Sequence, residues 1–362
     1  MNKISKYISN TLFKIFLQAF KKKKIDKAIY FNRKATILII NFGSIQDILN
    51  ITPLAQVLSE KFSSIISFVG TDNNIVALKN NPHIENIYRT NSKFRRIFKL
   101  SRSLSKYNYD IVIDVNERID KNVSYLLGLL KANFKVGFKK DDSKLFTHTR
   151  IIKNPSKAHI VDRILSQADL FEIKFSTTEL NICFNTSSNA QTIIDNYIIK
   201  NDLKFNLTVL INISSKENLD FWGIDNFRNL LKYLNNYKVN LIIVSSIQEI
   251  ELAEKLISKG VKIFYDSEFD SYAELIKNVD FIFSPDSYTV QLAAAYKIPV
   301  FCLFVQHNTS EMINVPYNSD FDFALTEKPN LSNLSYGKVL NSFVPYFEYI
   351  FEKYSSANKN ES

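Results

Sequence analysis

Residues 35–58 read ATILIINFGSIQDILNITPLAQVL. Thr36 to Ile40 form an unbroken apolar run, and a strand without polar alternation is buried on both faces, as in a parallel sheet covered by helices. Asn41, Phe42 and Gly43 interrupt it. Apolar residues then return at helical spacing, predicting a helix over 47–60. The chain holds only seven glycines, so a glycine placed directly after a strand marks a tight strand-to-helix turn. Asp47, four residues on, has two readings. In Ser44-Ile-Gln-Asp47 it completes a capping box that satisfies backbone amides. It is also a carboxylate at the carboxyl end of a strand, where doubly wound α/β proteins place their chemistry.

The pattern continues. Strands are expected at 65–69, 84–88, 110–115 and 134–138, with helices at 72–80, 93–106 and 118–131 between them. The second half repeats the plan, with strands at 208–213, 240–245, 261–265, 280–284 and 300–304 and helices at 224–235, 247–258, 270–277 and 287–296. Two doubly wound α/β domains follow from this alternation. A polar, helical stretch at 186–204 leads to a link near Phe205 and Asn206. The expected organisation is a leader at 1–34, an N-terminal domain at 35–205, a C-terminal domain at 206–327 and a helical segment with a disordered tail at 328–362. Ligands belong in the strand-to-helix loops 41–47, 114–120, 213–222, 245–249 and 284–291, in a cleft between the domains.

Composition narrows the class. The 362 residues, 46% of them apolar, supply two full cores. Cys183 and Cys302 lie far apart with no histidine at ligand spacing, so neither a disulfide framework nor a zinc site is indicated, and a reducing cytoplasm is the simplest setting. No apolar run is long enough to span a bilayer. The formal charge of +10 belongs almost wholly to residues 1–34, which carry ten Lys/Arg against one acid, Asp26. The body is nearly neutral, which argues against nucleic-acid binding. As a helix, the leader gathers Ile4, Tyr7, Ile8, Leu12, Ile15, Phe16, Ala19 and Phe20 largely on one side and Lys3, Lys6, Lys14 and Lys21 opposite. That pattern fits a helix lying in an anionic membrane surface; a helix packed on the body with a solvated lysine face is the alternative.

Several segments together resemble glycosyltransferase family 9, the lipopolysaccharide heptosyltransferases. They are NFGSIQDILNITPLAQVL, NPHIENIY, YDIVIDVNERIDKNVSYLLGLLKANFKVGF, KAHIVDRILSQADLFEIK and SPDSYTVQLAAAYKIPVFCLF, in the family's order from about residue 36 to 306. The resemblance implies the GT-B fold, two Rossmann-like domains facing across a cleft, and inverting transfer of a heptose or other hexose-like sugar. The donor would be a nucleotide sugar, and the acceptor a lipid-linked lipopolysaccharide or other surface glycan at the inner face of the cytoplasmic membrane. No metal or other cofactor is implied. Residues 1–34 would supply peripheral membrane contact.

By that resemblance Asp47 is the catalytic base, and Gly43 and Ser44 line the acceptor side. The acid-free run Lys93, Arg95, Arg96, Lys99, Arg102, Lys106 offers Arg95, Arg96 and Arg102 to a phosphorylated acceptor, or is simply a solvated face. Ser214, Ser215, Lys216, Trp222, Glu249, Asp286, Ser287, Tyr288, Thr289 and Gln291 are the candidate donor-binding residues. For Ser-Pro-Asp-Ser a plain turn and N-cap is the other reading, for Trp222 core packing, and for Glu249 an exposed first-turn acid. Tyr288 stands where the family has glycine, Gln291 where it has histidine, and Gln46 where it has a second glycine. The lysine expected near the donor phosphates is missing from Asp220-Phe221-Trp222, with Lys216 the nearest substitute. These departures leave a non-catalytic GT-B relative, acting as a binding or scaffold protein, as the alternative function.

Overall fold

The computed structural model describes residues 3–30, 34–91, 93–215, 221–265 and 268–360. The chain divides into two compact units, Met1–Cys183 and Phe184–Ser362.

The first unit runs α1 (Lys3–Ala19), β1 (Thr36–Ile40), α2 (Ile45–Phe62), β2 (Ile65–Thr71), β3 (Asn86–Thr90), α3 (Phe94–Leu104), β4 (Tyr109–Asp114), α4 (Lys121–Leu129), β5 (Ala132–Phe138), β6 (His148–Arg150) and α5 (Ile160–Leu165). Its six strands are parallel in the order β3-β2-β1-β4-β5-β6. Chain order reverses direction between β1 and β4, which pair with Ile37 opposite Ile111 and Ile40 opposite Asp114. Loops leaving these two strands diverge, so their carboxyl ends form the open corner where such sheets take ligands. In α2, Pro53 has no N–H for the Leu49 carbonyl four residues earlier. The Thr52 hydroxyl donates to that carbonyl instead, at 2.7 Å, so the helix continues through the proline.

The second unit runs α6 (Ser188–Asn201), β7 (Leu207–Asn212), α7 (Ile224–Leu234), β8 (Val239–Val244), α8 (Ile250–Glu254), β9 (Val261–Ile263), α9 (Phe269–Lys277), β10 (Phe281–Pro285), α10 (Tyr288–Tyr296), β11 (Val300–Val305), β12 (Phe321–Thr326) and α11 (Tyr336–Asn360). Its parallel sheet has the order β12-β11-β10-β7-β8-β9. This is the same winding, with β7 and β10 in the places of β1 and β4. Val339, Phe343 and Phe347 of α11 are buried in one core with Trp222, Phe281, Phe283 and Phe301.

Four features differ from the sequence reading. The expected link near Phe205 lies inside the second unit. Ser187 Oγ donates to Asp270 Oδ2 at 2.6 Å and Phe184 packs edge-on against Phe269, so α6 is held on α9 and the division falls at Cys183. The leader is not a separate segment, because Phe13 and Leu17 of α1 are buried in the core of the first unit. The C-terminal tail is helical to Asn360. Finally, β6 and β12 were not expected; both are edge strands, and their mixed polarity hides them from an apolar-run criterion. No helix among the described residues is long and apolar enough to cross a membrane.

A buried lysine makes the first unit sensitive to pH. Lys135 in β5 is almost wholly buried, and its Nζ donates to the Leu127 and Gly128 carbonyls near the end of α4. Burial, with a smaller push from Lys22, lowers its pKa from 10.5 to about 7. Between those values the unfolded chain carries a proton that the folded chain lacks, so stability rises with pH across that window. Urea unfolding of the wild type relative to Lys135→Met should therefore show the wild type gaining stability from pH 7 to 9.5. Parallel pH curves would mean that Lys135 stays charged in the fold.

Candidate functional site

In the first unit the open corner is built around Asn41, the residue after β1. Its Oδ1 accepts from the Gly43 amide at 2.7 Å, turning the chain sharply, and its Nδ2 donates to Asn116 Oδ1 at 2.9 Å, bridging to the loop after β4. Asn116 is held in turn by Asp114 Oδ1, which accepts from its amide at 3.0 Å and its side chain at 2.6 Å. The other oxygen of Asp114 pairs with Lys140 Nζ at 2.7 Å in a nearly solvent-free ion pair, and the same ammonium donates to the Asn116 carbonyl at 2.7 Å. From the other side Asn74 donates to the Gly43 carbonyl at 2.8 Å while accepting from the Thr71 amide at 2.8 Å. Arg163 grips both oxygens of Glu117, at 2.6 and 3.1 Å. Buried ion pairs of this kind need every donor placed, and here they immobilise the β4–α4 loop.

Asp47 stands over this corner, half-buried. Its Oδ2 accepts from the Ser44 amide at 2.8 Å and the Ser44 hydroxyl at 2.9 Å, and Ser44 Oγ accepts from the Asp47 amide at 3.2 Å. The capping box is therefore formed. Both bonds to the carboxylate fall on one oxygen, so capping and proton acceptance are compatible roles for the same side chain. A Cβ at Gly43 would lie 2.4 Å from Asp47 Oδ2, so a side chain there would push the carboxylate out of this position. Arg95, Arg96 and Arg102 are exposed on α3, and Arg102 lies over the Phe98 ring at 5.7 Å.

The second unit repeats the device. Asn212, the last residue of β7, accepts from the Ser214 amide at 3.0 Å through Oδ1. Its Nδ2 lies 2.9 Å from the Ser214 carbonyl, 3.0 Å from Ser284 Oγ, 3.1 Å from Ser287 Oγ and 3.1 Å from Thr289 Oγ1. Two hydrogens thus serve four acceptors across the β7/β10 corner. Ser214 Oγ accepts from the Ser246 amide at 2.6 Å, and Ser246 Oγ donates to the half-exposed Glu249 at 2.9 Å. Ser287 caps α10 by accepting from the Thr289 amide at 3.3 Å. Tyr272 hydrogen-bonds Thr289 Oγ1 at 2.7 Å, and its ring meets that of Tyr288, which also packs on Phe269. Burial raises both phenol pKa values, so both stay neutral.

Several expected donor contacts are placed inside this unit. Trp222 is buried among Phe227, Phe283 and Tyr336 and donates from Nε1 to the Leu334 carbonyl at 2.8 Å, so it packs in the core of this unit. Ser287, Thr289 and Gln291 are buried, with Gln291 donating to the Asn314 carbonyl at 3.2 Å. Asp286 is buried at the same corner and Ser215 is half-buried beside it. Lys216 and Asp220 lie outside the described residues. Asn41, Asn74, Asn116, Lys140 and Asn212 were missed by sequence reasoning. The one available signal was the recurrence of asparagine at the end of the first strand of each half, IINFG and LINIS.

Two stability measurements check these clamps. Ser44→Ala should cost about 1 kcal/mol through the lost cap. Asn212→Leu leaves several buried groups unpaired and should cost roughly 1–3 kcal/mol, whereas Glu249→Ala should stay within about 0.5 kcal/mol. Equal effects of the last two would deny Asn212 its bridging role.

The sequence model of glycosyltransferase family 9 (heptosyltransferase) matches residues 97–343. No curated protein matches the sequence. Among solved structures, a family 9 glycosyl transferase from Veillonella parvula is similar with a TM-score of 0.75 at 14% identity, covering 88% of this chain and 98% of that one. The E. coli ADP-heptose lps heptosyltransferase II gives 0.72 at 14% identity, with 88% and 99% covered. E. coli heptosyltransferase WaaC with ADP gives 0.67 at 17% identity, with 87% and 99% covered. At such identities the likeness is one of fold, the GT-B architecture. The matched span of the family model starts beyond Asp47.

Proposed function

The chain belongs to glycosyltransferase family 9, and from that premise we propose that it transfers a heptose or other hexose-like sugar, with inversion, from a nucleotide sugar to a lipid-linked surface glycan. The observation that carries the reading is the Gly43–Asp47 corner. A carboxylate is held through one oxygen by Ser44, in a turn where any side chain at position 43 would displace it. In the reaction the acceptor hydroxyl oxygen bonds to the anomeric carbon as the bond to the nucleotide diphosphate breaks. The hydroxyl proton passes to Asp47, and the electron pair leaves with the diphosphate. A positioned base of this kind contributes roughly 10²–10⁴ in rate.

The nucleotide falls to the second unit. Loops 213–215 and 284–291 meet at the Asn212 clamp, and the first turn of α10 supplies the amide-rich end that favours a diphosphate. ADP is the first candidate, because E. coli WaaC is a neighbour solved with ADP. Work at the inner face of the cytoplasmic membrane, with peripheral contact through residues 1–34, completes the proposal. The packed Tyr288 and the buried Gln291 favour a second reading, a relative that keeps the fold without turnover.

A thermal-shift titration against ADP, UDP, GDP, CDP and their sugar conjugates separates the two. A nucleotide at a hundred times its Kd should stabilise by about 2.7 kcal/mol; a flat response across the panel from folded protein would favour the second reading. With the donor class identified, Asp47→Asn should keep the nucleotide shift and lose transfer by at least about a hundredfold. Near-normal turnover in that variant would remove Asp47 from the chemistry.

A further inference from the structure

The leader helix has two apolar sides, and the body covers only one. Phe13 and Leu17 are buried, and the rings of Phe13 and Phe16 meet Tyr125 of α4 at 5.6 and 4.8 Å. Lys121 ties the same helix down by donating to Asn10 at 2.7 Å. On the outward side Tyr7, Ile8, Leu12 and Ile15 are 73, 52, 58 and 61% exposed. Ile8, Leu12 and Ile15 stand at i, i+4 and i+7, so they form one stripe. The expected single face is therefore split, with Phe16 and Phe20 turned toward the body and this stripe left outside.

α3 packs on the same helix, α4. Phe94 of α3 packs on the same Tyr125 ring at 5.2 Å, yet Phe94 and Phe98 remain 52 and 43% exposed. Phe94, Phe98 and Arg102 share a flank at four-residue spacing, with Arg95 and Lys99 exposed beside it. Neither residues 1–25 nor residues 92–106 contain an acid. Isolated exposed apolar residues need no explanation, but six large ones on two helices that pack on the same α4, in segments that carry cations and no acid, do.

We propose that the outward stripe of α1 and the Phe94–Phe98–Arg102 flank of α3 form one surface that docks on an anionic lipid bilayer. Apolar side chains enter the headgroup boundary and Arg95, Lys99 and Arg102 meet lipid phosphates. A groove of about 680 Å³ along α1 is lined by Tyr7, Lys14 and Ile15 together with Ile119 of the β4–α4 loop and with Asp141 and Lys144. Docking through α1 therefore holds at the membrane the loop that Asn116 and Lys140 immobilise. This inference deepens the proposed inner-face location and rests on it for the choice of membrane. Its residues are distinct from those assigned to transfer, except Arg95 and Arg102, which pass here from acceptor contact to lipid contact.

Flotation of the full chain with vesicles of phosphatidylcholine, alone or with one quarter phosphatidylglycerol, tests it. Binding should require the anionic lipid and weaken with salt. Leu12→Asp/Ile15→Asp should reduce it on the order of tenfold or more. Arg95→Gln/Lys99→Gln/Arg102→Gln should reduce it roughly fivefold per charge. Ile257→Asp, an equally exposed apolar site in the second unit, should change nothing. Equal binding to neutral vesicles, or binding indifferent to either set of variants, overturns the proposal. So does lipid-free self-association that Leu12→Asp/Ile15→Asp abolishes, which would make a second copy the occupant. Failure here with an intact nucleotide shift leaves the transferase reading standing, and a flat nucleotide panel with vesicle binding intact leaves this one standing.

Discussion

Both units depend on an asparagine that closes the corner where a doubly wound sheet changes direction. At that corner the two central strands send their loops opposite ways, so the backbone amide just past the first strand has no ladder partner. A buried amide without a partner costs more than the hydrogen bond it would make. Asn41 and Asn212 each supply an acceptor to that amide through Oδ1 and a donor across the corner through Nδ2. Asparagine alone among small side chains presents both at once with that spread. The turn at Gly43 and the loop at Ser214 inherit their shapes from it.

The corners differ in what they leave free. In the first unit the clamp stops at Asn116, Asn74 and the Asp114–Lys140 pair, and Asp47 is fixed through one oxygen only. In the second, the clamp absorbs the hydroxyls of Ser284, Ser287 and Thr289, and Tyr272 and Tyr288 pack against α10. The Tyr288 ring rests on Phe269 and Tyr272.

Helix α1 divides its apolar residues between a buried and an exposed side. Its apolar residues exceed what one face can hold, so docking on α4 uses Phe13 and Leu17 and leaves Ile8, Leu12 and Ile15 outside. A wheel drawn from sequence merges the two sides, because apolar positions spread over more than half of the helix circumference carry no mark of which neighbour each will meet.

Ten of the twelve described strands, the βα alternation and the Ser44–Asp47 box were legible directly, because burial on both faces and capping chemistry are local requirements written in consecutive residues. The short edge strands His148–Arg150 and Phe321–Thr326 escaped because an edge is half-solvated and its residues alternate. The division at Cys183, the core position of Trp222 and the partners of Asn41, Asn116, Lys140 and Asn212 were decided only in three dimensions. Each rests on groups tens of residues apart in the chain, and the side chains that answer one another there carry no periodicity that a linear reading can detect.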